Sequence, residues 1–295
     1  MSAVRSLRRR VTLWAAAAAA CAVFAVALRA FWLEPASLTV AEERIALRSS
    51  ASRQPPAARS AHGSLRIAIL TDLHVGSPFN GLAKLHRIVE RTNAARPDIV
   101  CILGDLVIQG VIGGEFVAPE QIAAALKNLS APAGVFAVLG NHDGWLDHDR
   151  VRAALQQSGI HIVEETAMRV ETASGPLWIA GISDLWTGTH DIHKALSPVK
   201  DDGAAVVLLT HNPDVFPDVP DRVAVTLAGH THGGQVRLPF VGRPIVPSRF
   251  GQRYAAGHVV EGGRHMIVAT GLGTSILPIR FRVPPAITML TLTSN

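Results

Sequence analysis

The chain reads as an α/β protein built on a mixed or parallel sheet, with a second sheet packed against the first. Three observations carry that reading. Five apolar runs, at 66–71, 99–103, 135–139, 204–209 and 223–228, each end in a polar turn, as strands buried on both faces do. Helical patterns at 82–95, 119–129 and 149–158 alternate with the first three runs, which is the βαβ order of a parallel sheet. Beyond residue 160 helical patterns thin out, and short strands are expected at 167–171, 177–181, 235–238, 266–270 and 287–292.

The N-terminus stands apart from this pattern. Arg5, Arg8, Arg9, Arg10 and Arg29 account for the net charge of +5, because the rest of the chain balances at 23 basic and 23 acidic side chains. The basicity belongs to a tail and not to a face, so no nucleic-acid partner is expected. Residues 11–28 form an uncharged apolar stretch of 18, long enough to cross a bilayer, with Trp14 and Trp32 suited to its two interfaces. The preceding arginines predict a single pass through the cytoplasmic membrane, N-terminus inside and the remaining chain outside. A cleaved signal peptide shares this layout, but no small-x-small site directly follows the run, which favours an anchor. Arg9-Arg10 could belong to a twin-arginine signal, although its flanks match poorly.

The expected division is therefore a basic segment and anchor at 1–33 and one catalytic domain at 34–295. Leu38, Val40, Ile45 and Leu47 alternate as short strands do. Residues 49–64, rich in Ser, Ala, Arg and Pro, read as a flexible loop. Cys21 lies in the apolar stretch and Cys101 in a core run, so neither a disulfide nor a thiolate metal site is expected.

The chemistry lies where the five runs end. They lead into Asp72-Leu73-His74, Gly104-Asp105, Gly140-Asn141-His142-Asp143, Thr210-His211 and Gly229-His230-Thr231-His232. In an open α/β sheet ligands sit beyond the carboxyl ends of the strands. Any one of these residues has a bland reading as a turn former, a helix cap or a core histidine. Together they have the composition of a metal site. Imidazole, carboxylate and amide oxygen favour Mn, Fe or Zn over Ca or Mg, and nothing in the sequence selects among the three. Two divalent ions about 3.5–4 Å apart activate a water and clamp a phosphate, but they repel each other unless an anion is shared. Asp105, at a tight strand end, suits that bridging role.

The ordered set D-x-H, GD, GNHD, H and GHTH resembles the calcineurin-like metallophosphoesterase superfamily. The ending Gly229 to Gln235 and the membrane leader are similar to its small, membrane-associated bacterial branch. The similarity covers roughly 34–295 and implies a four-layer α/β/β/α sandwich of two mixed sheets. It also implies that Asp72, His74 and His232 bind one metal, Asn141, His211 and His230 the other, with Asp105 between them. His142 would contact the phosphate and protonate the leaving oxygen, with Asp143 orienting it. The Gly-rich loop 271–275 reads as a tight turn, or, because relatives place a similar loop near the site mouth, as a substrate contact through Gly273. Arg280 is expected either in a surface ion pair or on the substrate phosphate. One departure is visible: many relatives carry a further acid shortly after GD, where this chain has Leu106-Val107-Ile108, either a greasy substrate wall or simple packing. His190 and His193 have HxxH spacing but fall outside the motif set.

The function so implied is hydrolysis of a phosphorylated small molecule or lipid, with the anchor favouring a lipid-linked or envelope phosphoester. UDP-2,3-diacylglucosamine pyrophosphatase activity is an alternative that needs a cytoplasmic site, against the charge-based topology. A non-catalytic, membrane-tethered binding module would be marked by a lost ligand, and none is lost. Nuclease action would call for a basic track that the balanced charge lacks. The motifs name no protein partner.

Overall fold

The computed structural model describes residues 2–47 and 64–294, so the loop expected at 49–64 lies, but for Ser64, outside the described residues. Helix α1 (Ser2–Leu28) passes through a π-helical turn, Arg29–Leu33, into the single turn α2 (Glu34–Ala36). It is one helix long and apolar enough to cross a membrane by length and composition. Strand β1 (Thr39–Leu47) follows as one nine-residue strand instead of several short ones.

The alternating unit is β2 (Ser64–Leu70), α3 (Leu82–Ala94), β3 (Ile99–Leu103), α4 (Pro119–Leu126), β4 (Val135–Val138), α5 (Asn141–Gln157) and β5 (His161–Ile162). Next come β6 (Thr166–Thr172), β7 (Gly175–Gly181), α6 (Ile192–Leu196), β8 (Ala205–Leu209), β9 (Val225–Ala228), β10 (Gly257–Glu261), β11 (Arg264–Val268) and β12 (Ala286–Ser294). The first sheet has the order β1-β12-β2-β3-β4-β5 and the second β10-β11-β9-β8-β7-β6. Strands β2 to β5 run parallel to one another, as do β7, β8, β9 and β11. Antiparallel partners, β12 beside β2, β6 and β10, make both sheets mixed.

The continuous apolar runs follow from burial on both faces. Ile67, Ile69, Cys101 and Leu103 point between the sheets, against Ile179, Val207, Leu209 and Leu227. Their neighbours Ala68, Leu70, Val100 and Ile102 face Leu85, Ile88, Ile122, Leu126 and Leu155 of α3, α4 and α5. On the far side Trp178, Ala180 and Leu208 pack with Ile192, Ala195 and Phe216 of α6 and the 3₁₀ turn Pro213–Asp218. This is the expected α/β/β/α sandwich.

Three elements differ from the expectation. The run at 287–292 joins the first sheet, where β12 inserts between β1 and β2. An apolar run shows that a strand is buried but not which neighbours it chooses. Residues 235–238 form no strand, only isolated bridges from Val236 to Phe281 and from Leu238 to Gly242. Gly233, Gly234 and Gln235 all take positive φ there, and Pro239 ends the segment. Helix α5 begins at Asn141, eight residues before the amphipathic part, because Asp143 closes its first turn; the helix then breaks at Asp147.

Candidate metal centre

The loops after β2, β3, β4, β8 and β9 meet at one edge of the sandwich and bring all the motif residues together. Their backbones interlock: Asp72 N–H donates to Gly104 O at 3.0 Å, His74 to Asp105 O at 2.9 Å and Val75 to Leu106 O at 2.8 Å. Five residues of this edge hold left-handed backbone, Asp72 (φ 49°), His74 (38°), Asp105 (54°), His230 (68°) and His232 (52°). Such geometry costs about 1–3 kcal/mol per non-glycine residue and persists where the surroundings impose it, most often at functional sites. Gly140 is needed for the close approach, since a Cβ there would lie 2.3 Å from Asp105 Oδ1.

Two groups of ligand atoms result, sharing one carboxylate. Asp72, His74, Asp105 and His232 place one atom each within 4.8 Å of one another, and so do Asp105, His211 and His230. His74 Nε2 lies 3.1 Å from His232 Nε2 and 3.5 Å from Asp105 Oδ2. His232 Nε2 is 3.3 Å from Asp72 Oδ1. In the second group His211 Nε2 lies 3.3 Å from Asp105 Oδ2, 3.1 Å from His230 Nδ1 and 3.2 Å from Asn141 Oδ1. All seven residues are buried.

The tautomers decide what this arrangement suits. His74 Nδ1 lies 3.0 Å from Val107 O and His211 Nδ1 2.6 Å from Leu103 O. A carbonyl only accepts, so both Nδ1 atoms carry hydrogen. The Nε2 lone pair of His74 is thereby aimed at other acceptors. Buried His230 Nε2 and His232 Nδ1 find no partner. Acceptors that face each other in a buried site need a proton or a cation between them, and imidazoles fixed through Nδ1 are the usual form of metal ligands.

The charges agree. Burial drives His74 down to about 4, His230 to about 3 and His232 well below its ordinary value, so all three present lone pairs at neutral pH. Burial alone would raise Asp105, but His211, His74 and His142 hold it well below the usual carboxylate range. Burial lifts Asp72 to about 7 against the pull of His211. Burial disfavours a charged His211, yet Asp105 and Asp72 carry it up to about 10. A proton on His211 thus stands where a cation could bind.

His142 sits at the rim of the cluster, half-buried, with its N–H on Asp105 Oδ1 at 2.9 Å. Its ring meets His74 edge-on at 4.7 Å and its Nδ1 has no partner. Asp143 corrects an expectation. Its carboxylate accepts from the N–H groups of Gly140, Leu106 and Val107 at 3.0, 2.9 and 3.3 Å, not from the His142 ring. As the third residue of α5 it pins two motif loops, and it places His142 only through the backbone.

Gly273 and Arg280 are also corrected. Gly273 lies buried beneath the D-x-H loop, its N–H on Asp72 O at 2.7 Å, where a Cβ would come 2.4 Å from Leu73 O. Arg280 is fully buried and donates to the carbonyls of Gly273, Thr270 and Val283. It is neither a surface ion pair nor available to a substrate; the carbonyls it satisfies belong to the loop that backs Asp72. Arg280→Leu is expected to lose about 3 kcal/mol or more in denaturant unfolding, because three carbonyls, two of them in buried bonds, lose their donor. The Leu106-Val107-Ile108 segment is buried and is simple packing. His190 and His193 are exposed and belong to neither ligand group.

Two residues without a motif border the cluster. Trp145 and Trp186 lie nearly parallel, 6.0 Å apart, with Trp145 5.1 Å from the His142 ring and Trp186 4.5 Å from His230. Both are 52% exposed. Trp145 follows His142 by three positions in α5, hence on the same helix face. Trp186 is held by buried Asp184, whose Oδ2 accepts from Trp186 N–H at 2.8 Å and Thr187 N–H at 3.1 Å. A signal was present: 177–181 is a sixth apolar run ending in a polar turn. Trp186→Ala is expected to raise KM about 2–10-fold with kcat and metal content nearly unchanged, the worth of one aromatic contact.

A buried basin at the strand ends, where two groups of metal-ligating atoms share one carboxylate, outlines a two-metal hydrolase. The family model described as calcineurin-like phosphoesterase matches residues 65–234, which is more than half of the sequence. The chain belongs to the calcineurin-like phosphoesterase family, and it is a metallophosphoesterase. A Bacillus subtilis (strain 168) protein named uncharacterized metallophosphoesterase YkuE is 32% identical over 239 residues, 79% of this chain and 82% of its own. Phosphodiesterase YaeI of Escherichia coli (strain K12) is 32% identical over 233 residues, 77% and 82% of the two chains. A Danio rerio transmembrane protein with metallophosphoesterase domain is 30% identical over 190 residues, 58% of this chain and 41% of its own.

Proposed function

We propose that this chain is a membrane-anchored phosphoester hydrolase that works with two divalent ions on a lipid-linked or envelope substrate. Asp72, His74 and His232 would hold one ion and Asn141, His211 and His230 the other, with Asp105 serving both groups. The observation that carries this reading is the pair of acceptor groups meeting at Asp105. Bound there, divalent ions supply an activated water and neutralise charge on the phosphoryl oxygens. Mn, Fe and Zn all suit the donor set.

The protein's own part is positioning and proton transfer. The left-handed loops and their backbone interlock hold the donor atoms in place without substrate, so little reorganisation is needed when it binds. His142 is the imidazole of the cluster that belongs to neither ligand group. It serves as the acid for the departing oxygen, its ring kept at the mouth by the Asp105 bond to its backbone. Trp145 and Trp186 flank the entry and contact the part of the substrate beyond the phosphoryl group.

The apolar α1 and the transmembrane relative in Danio rerio support the anchor. The arginines in the first turns of α1, ahead of its apolar stretch, favour a catalytic domain outside the cytoplasmic membrane. Two experiments test these readings. The full chain, assayed with Mn²⁺ on a monoester, a diester, a pyrophosphate and a phospholipid, should turn over the lipid-linked phosphoester best. Preference for a nucleotide-sugar lipid, with a C-terminal reporter fusion that reads as cytoplasmic, would replace the envelope reading with the lipid A precursor reading.

A further inference from the structure

The end of α1 is built into the catalytic fold. Ala30 of the π-helical turn and Glu34 and Pro35 of α2, which continue it, are buried there. Arg280 N–H donates to Ala30 O at 2.9 Å, Lys84 Nζ to Pro35 O at 2.8 Å, and the Trp32 and Phe79 rings lie 5.1 Å apart. Only Ser37 and Leu38 separate α2 from β1, so helix and fold are joined without a linker.

Further back along the helix, Val23, Val26 and Ala27 form one wall of a groove of about 460 Å³. The other wall is Val236, Leu238 and Phe281, from two loops of the catalytic fold. The groove extends from Phe31 back to Ala22, roughly 13 Å of helix axis. Those helix positions up to Leu28 belong to the uncharged run. Whatever depth they have in a bilayer, the two loops share it.

The same loops carry an apolar crown. Phe240, Val241, Ile245, Ile276 and Leu277 are exposed, and Phe240, at the tip of a turn closed by Leu238 and Gly242, is completely so. The loops are tied together by Gln235 Nε2, which donates to the carbonyls of Ser275 and Leu277. Scattered apolar side chains on a surface are ordinary, but a contiguous set marks a contact with something apolar. Charge narrows the choice. Residues 235–252 hold Arg237, Arg243 and Arg249 without one Asp or Glu, and residues 262–294 are likewise free of acid, while Arg253 between them pairs with Glu261. Apolar tips among arginines fit an anionic bilayer, where each cation near the surface adds about 1 kcal/mol.

The crown is also an extension of the metal centre. Gly233, Gly234 and Gln235 follow His232, and Gly234 approaches Ile245 so closely that a Cβ would lie 2.6 Å from its carbonyl oxygen. Phe79, against Trp32, lies five residues after His74 in the same loop.

We propose that the 236–245 and 276–281 loops are immersed in the same leaflet as the last turns of α1, so that the metal centre faces the lipid surface. This rests on the reading that α1 crosses the bilayer, and it narrows the substrate to a phosphoester of a membrane lipid. The groove between helix and loops takes an acyl chain, while the phosphoryl group reaches the ions from the headgroup layer.

The test uses the full chain with Cys21→Ser, reconstituted into vesicles of phosphatidylcholine and phosphatidylglycerol. An environment-sensitive fluorophore is placed through Phe240→Cys or, as a control beyond the end of α4, through Lys127→Cys. The label at 240 should emit to the blue of the label at 127 and be quenched by nitroxide-bearing lipids. Equal emission from both positions, in protein that resists an alkaline carbonate wash, would overturn the immersion and leave the anchor standing. Release by the wash would remove the anchor reading and this inference with it. A Phe240→Ser, Ile245→Ser double variant should lose about tenfold or more in turnover of a vesicle phospholipid, as expected when two apolar side chains no longer enter the bilayer. A soluble aryl phosphodiester should turn over as before; an equal loss on both substrates would overturn the lipid-surface assignment.

Discussion

Asp105→Asn is expected to weaken both ion positions at once and to lower turnover by more than about 10³-fold. Changes in the groups that merely support ligands cost about 10–100-fold in metal affinity. Asp105 is at the centre of the cluster, with Oδ2 3.5 Å from His74 Nε2 and 3.3 Å from His211 Nε2. Removing its negative charge leaves two neighbouring cations without their shared counter-charge, and the loss falls on both. The variant keeps its shape and can still accept from His142 N–H through Oδ1, so it should fold. Metal content after dialysis and kcat under saturating Mn²⁺ check the prediction. Loss of one ion alone would confine Asp105 to a single position.

His142→Ala should separate chemistry from metal binding. Metal content should stay near that of the wild type while turnover falls by roughly 10²–10⁴-fold, the usual contribution of a positioned acid. The reason is geometric: the ring packs edge-on against His74 and leaves Nδ1 unpartnered, whereas its backbone N–H makes the bond to Asp105. Alanine keeps that backbone bond. A nitrophenyl ester, whose leaving group needs little protonation, should suffer less than an alkyl ester. Burial lowers the His142 pKa below the ordinary imidazole value, so the protonated form needed for an acid is favoured only on the acidic side. The turnover of alkyl esters should therefore decline as pH rises, and this slope should flatten in the alanine variant. If the variant instead loses an ion, His142 is a ligand.

Much of this was legible in the sequence because a buried parallel strand has no polar face. The runs leading to Asp72, Asp105, Asn141, His211 and His230 are almost wholly apolar, and each stops where the chain emerges at the sheet edge. What could not be read depends on pairing in space. β5 is two residues long and shows no run, and β12 carries a strand pattern that is silent about its insertion between β1 and β2. Arg280 looked like a surface or phosphate-binding cation, because nothing local indicates that three carbonyls surround it. Asp143 sat next to His142 in the chain, but the first turn of a helix claimed its carboxylate. Trp145 and Trp186 are forty-one positions apart and meet only because α5 and the loop after β7 share the same edge.

The most direct measurement is the metal content of the purified full chain, read together with its activity. The shared-carboxylate site predicts close to two ions of Mn, Fe or Zn per chain, activity lost on chelation, and recovery when Mn²⁺ is returned. Metal-free protein with full turnover on a phosphoester would contradict the two-metal account.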